Sequence, residues 1–162
     1  MSAVNQIRDA VVHTLKAAGL NARGAWDGTA GAVSAPLVCA DVETTTGKPV
    51  AFGGYLGRTA AGTGVREVYG RELEAVVTVD VRAPSAGACA ATLETACDAL
   101  GAGLPSGLRL RQMDWEAVIW EKENRCFFRR CRLRCGAYFT AEAGEDGGTL
   151  LEFRLKGTLA TA

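Results

Sequence analysis

The chain has 162 residues, a formal net charge of +0 and a hydrophobic content of 48%, values that describe one globular domain of ordinary composition. A balanced charge does not favour nucleic acid as the main partner, because duplex-binding domains usually carry a basic excess. No apolar run reaches the length that crosses a bilayer, and the N-terminal residues lack the pattern of a signal peptide. We therefore expect a single domain over 1–162 that is made in the cytoplasm and has no membrane partner.

Six cysteines and one histidine bring to mind a zinc site or a disulfide framework. The sequence has no Cys-x-x-Cys pair, whereas structural zinc sites draw on closely spaced Cys or His pairs. Free cysteine is among the most buried residue types. We predict reduced core thiols and no metal, with Cys39, Cys131 and Cys135 facing inward on strands and Cys89 and Cys97 on a helix.

The first element is predicted to be a helix from about Ala3 to Ala18. Apolar residues recur there every three or four positions, and Gly19 supplies a C-terminal stop. His13 falls on the polar side without a partner, which favours a solvated residue over a catalytic one. In the connector that follows, Trp26 is the only large residue. We expect it to hold the connector against the core or against a neighbouring subunit.

Two strands are predicted next, over 36–43 and 50–56, joined by a turn over 44–49. The segment after them, at about 57–67, is rich in glycine and small residues and carries two arginines. It is either a mobile hairpin tip or an arm that becomes ordered only against a partner. We predict a flexible arm at this place.

Residues 71–82 alternate between apolar and polar side chains, with Val76 as the exception. A period of two over this length is typical of a strand with one buried and one wet face. Ser85 is a good N-cap for a second helix, which glycines end from Gly101 onward. The pattern predicts a strand whose apolar face packs against both helices.

Three further strands are predicted, over 108–121, 126–140 and about 151–156. In the second of these, Phe127-Phe128 interrupts the alternation and predicts a bulge. The order α-β-β-β-α-β-β-β predicts an α+β fold, with a single antiparallel or mixed sheet of about five to six strands and two helices packed on one face.

The wet face of this sheet gathers charged side chains from several strands. They form either cross-strand ion pairs on a solvated sheet or an interface between subunits, where arginine suits bidentate pairing. Nucleic acid could also face the arginines, although no aromatic residues interleave with them as in single-strand binders. The candidate interface residues, with the two arginines of the arm, are Arg58, Arg66, Glu72, Glu74, Arg109, Arg111, Arg130, Arg132, Arg134 and Arg154.

Catalytic motifs are missing from the sequence. It has no nucleophile elbow, no second histidine for a triad or metal site, and no dinucleotide-binding glycine fingerprint. Asp114 with Glu116, or Glu121 with Glu123, could form a carboxylate pair, but each is equally explained as a strand's exposed side or a charged turn. We expect a protein that is not an enzyme, without catalytic residues or cofactors.

The order of elements runs from an N-terminal helix to Pro36-Leu37-Val38, through a hairpin into Arg71-Glu72-Leu73-Glu74-Ala75-Val76-Val77-Thr78-Val79, then through a helix to Gly101 and closing strands to Phe153-Arg154-Leu155-Lys156-Gly157. In the order of its elements, in its length and in its general sequence pattern, the chain resembles the tail terminator (tail completion) proteins of tailed bacteriophages and of related prophage-derived contractile particles. The resemblance covers most of the chain.

The resemblance implies a structural virion protein without an active site. Such a subunit forms a ring of six on the last tail-tube ring, stops tube polymerisation and provides the head-joining surface. Its implied partners are further copies of itself, tube and sheath proteins and the head–tail connector, with nucleic acid only as passing cargo. Its implied location is the virion tail, after assembly in the host bacterial cytoplasm. The alternatives are another tail or baseplate adaptor, a head–tail connector, or a small-molecule-binding α/β module with Trp26, Trp115 and Trp120 around a pocket.

Overall fold

The computed structural model describes residues 3–28, 32–62, 64–105, 107–143 and 154–155. Within these ranges two helices lie on one eight-stranded sheet, which confirms the predicted α+β class. The elements are α1 (Ala3–Ala17), β1 (Ala22–Arg23), β2 (Leu37–Pro49), a 3₁₀ turn (Phe52–Gly54), β3 (Tyr55–Ala61), β4 (Gly64–Ala83), α2 (Ala86–Ala102), β5 (Leu108–Trp115), β6 (Ile119–Glu121), β7 (Cys126–Ala143) and β8 (Arg154–Leu155). The strand count exceeds the prediction because β1 is an added two-residue strand and the predicted run 108–121 is divided into β5 and β6.

The long antiparallel pair of β4 and β7 forms the axis of the sheet. The sheet order is β1-β2-β4-β7-β5, with β3 pairing to β4 and with β6 and β8 pairing to β7. β4 and β7 pair without a register shift from Glu67 opposite Ala143 to Ala83 opposite Phe127. Because a strand rises about 3.3 Å per residue, the 20 residues of β4 span about 65 Å.

Both helices cover the same face of this sheet, which we call the helix face. α1 buries Ile7, Val11 and Leu15, and the N-cap of α2 is Ser85, whose hydroxyl accepts the Ala88 N–H at 3.1 Å. On the sheet, the core residues beneath the helices include Ala75, Val77, Val79 and Val81 of β4 and Cys131, Leu133, Cys135, Ala137 and Phe139 of β7. The apolar parity predicted for residues 71–82 therefore faces the helices.

The predicted turn over 44–49 is wrong, because β2 continues as a strand to Pro49. These residues pair with β4 from Thr44 opposite Val76 to Pro49 opposite Arg71. Threonine favours strands, and Gly47 leaves room for the Leu73 side chain, which lies 3.0 Å from the position of a Cβ at that glycine. The long partner strand thus overrides the local turn composition.

The chain turns instead within the predicted strand 50–56, where that prediction is also wrong. Gly53 and Gly54 have φ angles of 63° and 79°, a left-handed conformation that breaks a strand. β3 starts at Tyr55 and pairs with β4 as a hairpin, from Tyr55 opposite Tyr69 to Ala61 opposite Gly64. The predicted arm is therefore a β-hairpin in this structure, and its flexibility stays a prediction.

The predicted bulge at Phe127-Phe128 is wrong. Both residues pair in register with β4, since Phe128 lies opposite Arg82 and Phe127 opposite Ala83. Phe127 packs against the core, whereas the Phe128 ring lies on the other face with the Arg82 guanidinium carbon 4.8 Å from its centroid. Two adjacent aromatic residues fit an uninterrupted strand here because the Arg82 guanidinium covers the ring of Phe128.

All six cysteines are free and buried, as predicted. Cys131 and Cys135 belong to the helix-side core together with Cys89 and Cys97. The inward orientation predicted for Cys39 is wrong, because Cys39 lies opposite Asp80 and shares the face turned away from the helices. Its thiol is buried there, and burial raises the pKa of Cys39.

Candidate interaction surfaces

The face of the sheet opposite the helices carries the predicted charged residues, and we call it the charged face. At its centre Arg130 of β7 donates to both oxygens of Asp80 on β4, at 2.7 and 2.8 Å. Arg132 reaches two carboxylates, Glu43 of β2 at 3.0 Å and Glu116. Arg130 and Arg132 are thus paired with carboxylates of β4, of β2 and of the segment that follows β5.

Arg111 extends this network along the sheet. Its guanidinium donates to Glu74 at 2.8 Å and to Glu72 at 2.9 Å. To reach them it crosses β7 above Gly136, where a Cβ would lie 2.9 Å from the Arg111 Nε. The absence of a side chain at Gly136 therefore lets one arginine link β5 to β4 across the strand between them.

The remaining candidates are distributed as follows. In the arm, Arg58 lies 3.7 Å from Glu67, and Arg66 lies 3.4 Å from Glu142. Arg134 approaches Asp114 only to 3.9 Å, and Arg109 has no ion pair within the described part of the chain. Arg154 belongs to β8, and its side chain lies outside the described residues. The observed pattern is the cross-strand pairing that the sequence offered as one interpretation, while a role for these residues at a subunit interface stays a prediction.

One end of the charged face holds a buried arginine, Arg82. Its side chain is stacked between Trp26 and Phe128, with the guanidinium carbon 4.7 and 4.8 Å from the two ring centroids. Its Nε and Nη2 donate to the two oxygens of Glu121 at 2.9 and 3.2 Å. Arg82 is 6% exposed. Trp26 therefore holds the connector against this subunit's own sheet, one of the two expected arrangements.

Glu121 is the counter-ion of this buried cation. Burial by itself would raise the pKa of Glu121, but hydrogen bonds from Arg82 and Asn124 outweigh it and hold the pKa below its ordinary value. The neighbouring Cys126 thiol donates to the same carboxylate, and burial followed by this contact raises the pKa of Cys126 to about 11. The thiol is therefore protonated at neutral pH.

The possible carboxylate pairs do not form shared acid–base sites. Asp114 approaches Arg134 and Glu116 contacts Arg132, so that the two acids of the first pair have separate arginine partners, and in the second pair Glu121 contacts Arg82. Among the described residues, no group of three or more His, Cys, Asp and Glu side chains could hold a metal ion. Neither described helix is long and apolar enough to cross a membrane.

The three tryptophans do not surround a common pocket. Trp26 lies on the charged face over Arg82, whereas Trp120 packs edge-to-face on Phe127, with centroids 5.0 Å apart, on the helix face. Of the surface grooves, one of about 340 Å³ on the charged face is lined by residues such as Thr44, Val76 and Arg134, and another of about 410 Å³ lies beside Pro49 and Gly70. No tryptophan lines either groove.

Two apolar surfaces are exposed at opposite ends of the sheet. The edge patch consists of Trp115 on β5 and Trp120 on β6, which lie on the helix face and are 49% and 53% exposed, whereas Ile119, 55% exposed, lies opposite Phe128 on the charged face. The tip patch lies where the hairpin begins and consists of Phe52, which is fully exposed, with Tyr55 and Leu56, which are 40% and 45% exposed; Val65, 42% exposed, lies near the other end of the hairpin, opposite Ala60. Large apolar side chains grouped in this way commonly mark interaction sites.

Sequence reasoning found neither patch. Trp115 and Trp120 were placed around a pocket only in the alternative of a small-molecule-binding module, and Phe52 was expected within a regular strand. The available signal was the number of helices. Two helices are too few to cover every strand, and both tryptophans fall on strands at the edge of the sheet. For Phe52 the signal is the Gly53-Gly54 pair that follows it, because this pair ends the strand and leaves the ring outside the sheet.

Comparisons with known proteins give little beyond the chain itself. No family model matches the sequence, and no curated protein matches it. Among solved structures, a chain described as "Virion of native gene transfer agent (GTA) particle" is similar at 20% identity and a TM-score of 0.38, covering 85% of this chain and 98% of that chain. Because the TM-score is below 0.5, we base no argument on this likeness.

Proposed function

We propose that this chain is a structural virion protein of a tailed bacteriophage or a phage-like particle. It acts as a tail terminator, forming a ring of six subunits that caps the tail tube, stops its polymerisation and provides the head-joining surface. It carries out no catalysis, and nucleic acid meets it only as cargo passing through the ring.

The observation that carries this proposal is the extension of the β4–β7 ribbon beyond the helices. In β4, burial is nearly continuous from Ala75 to Ala83, whereas Gly64 to Arg66 are exposed. Phe52, in the 3₁₀ turn that precedes this hairpin arm, is fully exposed. An exposed apolar side chain contributes little to the stability of a single subunit. Such side chains commonly mark a surface that a partner covers.

The charged face also supports this proposal, because it does not favour nucleic acid as a partner. Its arginines are largely compensated by carboxylates of the same subunit, which leaves no basic stripe of the kind that tracks a nucleic-acid backbone among the residues that the structure describes. Separation of the tryptophans onto different faces does not favour the small-molecule module, since no described groove unites them.

The test is the mass and shape of the purified protein. We expect light scattering to give about 101 kDa, which is six copies of the 16.9 kDa chain, and negative-stain images to show rings with six-fold symmetry. Assembly that requires the tail-tube protein of the same particle would also agree, provided that the ring then sits at the tube end. A monomer of 16.9 kDa both alone and with the tube protein would contradict the proposal.

A further inference from the structure

We propose that the charged face has a binding site for one oxyanion, the carboxylate or phosphate group of a ligand, between Arg23 and Arg82 beside the ring of Trp26. The two arginines come from different strands, and each has one buried nitrogen that no described group meets. The site belongs to a single subunit, so its presence does not depend on the tail terminator role.

Arg82 is a buried cation whose hydrogen-bonding capacity is only partly used. Glu121 occupies one edge of its guanidinium, through Nε and Nη2. The third nitrogen, Nη1, is buried and has no hydrogen-bond partner in the described part of the chain. Arg82 as a whole is 6% exposed, so its Nη1 is not in contact with bulk solvent. Buried polar groups are nearly always hydrogen-bonded, and an unpaired donor of this kind marks a place where an acceptor can bind.

Arg23, at the end of β1, repeats this feature. Its Nε is also buried without a partner among the described residues, although its Nη2 lies 3.6 Å from Asp27. The guanidinium carbon of Arg23 lies 5.0 Å from the centroid of the Trp26 ring, and that of Arg82 lies 4.7 Å from the same centroid. Both guanidiniums therefore contact one ring, and each has an unused donor.

The strand pairing turns these two donors toward the same space. Arg23 on β1 lies opposite Cys39 of β2. Arg82 on β4 lies opposite Leu37 of the same strand, so that β2 runs between the two arginines on the charged face. Glu121 belongs to β6, on the far side of β7, and the Arg82 nitrogen opposite the edge that Glu121 occupies is therefore turned toward β2. Burial raises the pKa of Cys39, and Arg23 and Arg82 both oppose this rise, which places both charges near its thiol.

The chemistry of the donors defines the class of ligand. Guanidinium N–H groups form their strongest hydrogen bonds with carboxylate and phosphate oxygens. Asp27 and Glu121 each lie at another nitrogen of one arginine, and neither accepts from the two unused donors. The Arg23 side chain is 41% exposed, whereas Arg82 is enclosed, so a ligand enters past Arg23.

The experiment titrates the full-length protein with inorganic phosphate and, separately, with glutarate, at constant ionic strength set with sodium chloride. Trp26 fluorescence is followed in a Trp115→Phe, Trp120→Phe background. The thermal midpoint of the wild type is measured in the same series, because a ligand that binds only the folded chain raises it. A saturable fluorescence change and a raised midpoint support the site, and the tighter probe identifies phosphate or carboxylate as the preferred group. No saturable change with either probe overturns the proposal.

Matched variants locate the bound probe. Arg23→Met removes one of the two donors and keeps an apolar stem beside Trp26. Arg134→Met removes the same charge elsewhere on the charged face, where the closest carboxylate is 3.9 Å away. We expect Arg23→Met to weaken probe binding about 10-fold or more, the effect of one charge-assisted hydrogen bond, and Arg134→Met to change it by less than about two-fold. Equal affinities in the two variants would assign the binding to general electrostatic attraction and would overturn the site.

Discussion

Replacing Phe139 by alanine is expected to lower the free energy of unfolding by about 3–5 kcal/mol, enough to unfold a marginal domain. Phe139 is 0% exposed and the largest fully buried side chain of the described core. Its loss removes the transfer free energy of the ring and leaves a cavity between β7 and its covering layer. The measurement is urea unfolding followed by circular dichroism, at equal m-value.

Phe52→Ala is the matched control, since it makes the same chemical change at a fully exposed position. We expect a change within about 0.5 kcal/mol for this variant. Both variants are compared at a protein concentration below that of self-association, because assembly adds to apparent stability. Equal losses in the two variants would mean that the core has been placed wrongly.

Replacing Glu121 by alanine is expected to lower the free energy of unfolding by about 3–5 kcal/mol, because it leaves the Arg82 charge buried without its counter-ion. Arg82 is 6% exposed and held on both sides by aromatic rings. Glu74→Ala is the matched control, since its partner Arg111 has 47% of its side chain exposed and keeps Glu72. An exposed pair of this kind contributes at most about 1 kcal/mol.

A double variant separates the lost charge pair from lost packing. Arg82→Met in the Glu121→Ala background removes the stranded charge and should recover part of the loss, as replacement of buried ion pairs by apolar side chains often does. If Glu121→Ala and Glu74→Ala shift the urea midpoint equally, the Arg82 stack is not a buried pair in solution.

The same pair gives stability a defined pH dependence. The pKa of Glu121 is lower in the folded protein than in the unfolded chain, where the pKa of a glutamate is about 4.3. Its contribution is therefore present above that value and is lost as the pH falls through the lower, folded pKa. We expect the difference in urea midpoint between the wild type and Glu121→Gln to be largest near neutral pH and to shrink below about pH 4.3. A difference independent of pH would contradict this role.

The sequence predicts the layers of the fold because two simple periodicities are strong in it. α1 and the strand over 71–82 each place apolar residues on one side, and Ser85 and Gly19 mark helix ends by local hydrogen bonding and backbone freedom. Local composition is a poorer guide where a long partner strand competes with it. Residues 44–49 look like a turn in isolation, but pairing with β4 makes them a strand.

The surfaces are predicted less well, for a physical reason. Parity assigns Arg130 and Arg132 to a wet face but does not say which carboxylate each one meets, since this depends on register between strands 50 or more residues apart. Exposure of Trp120 depends on where the helix layer ends, which no local pattern encodes. The clasp of Trp26 and Phe128 around Arg82 likewise joins three distant segments.

The length of tail tubes polymerised with this protein tests the central claim most directly. The tail-tube protein of the same particle is assembled with and without the chain, and the tubes are measured by negative-stain electron microscopy. The account predicts that added protein shortens the tubes in proportion to its concentration and is found at one tube end. Tubes of unchanged length, with no protein at their ends at any concentration, would contradict it.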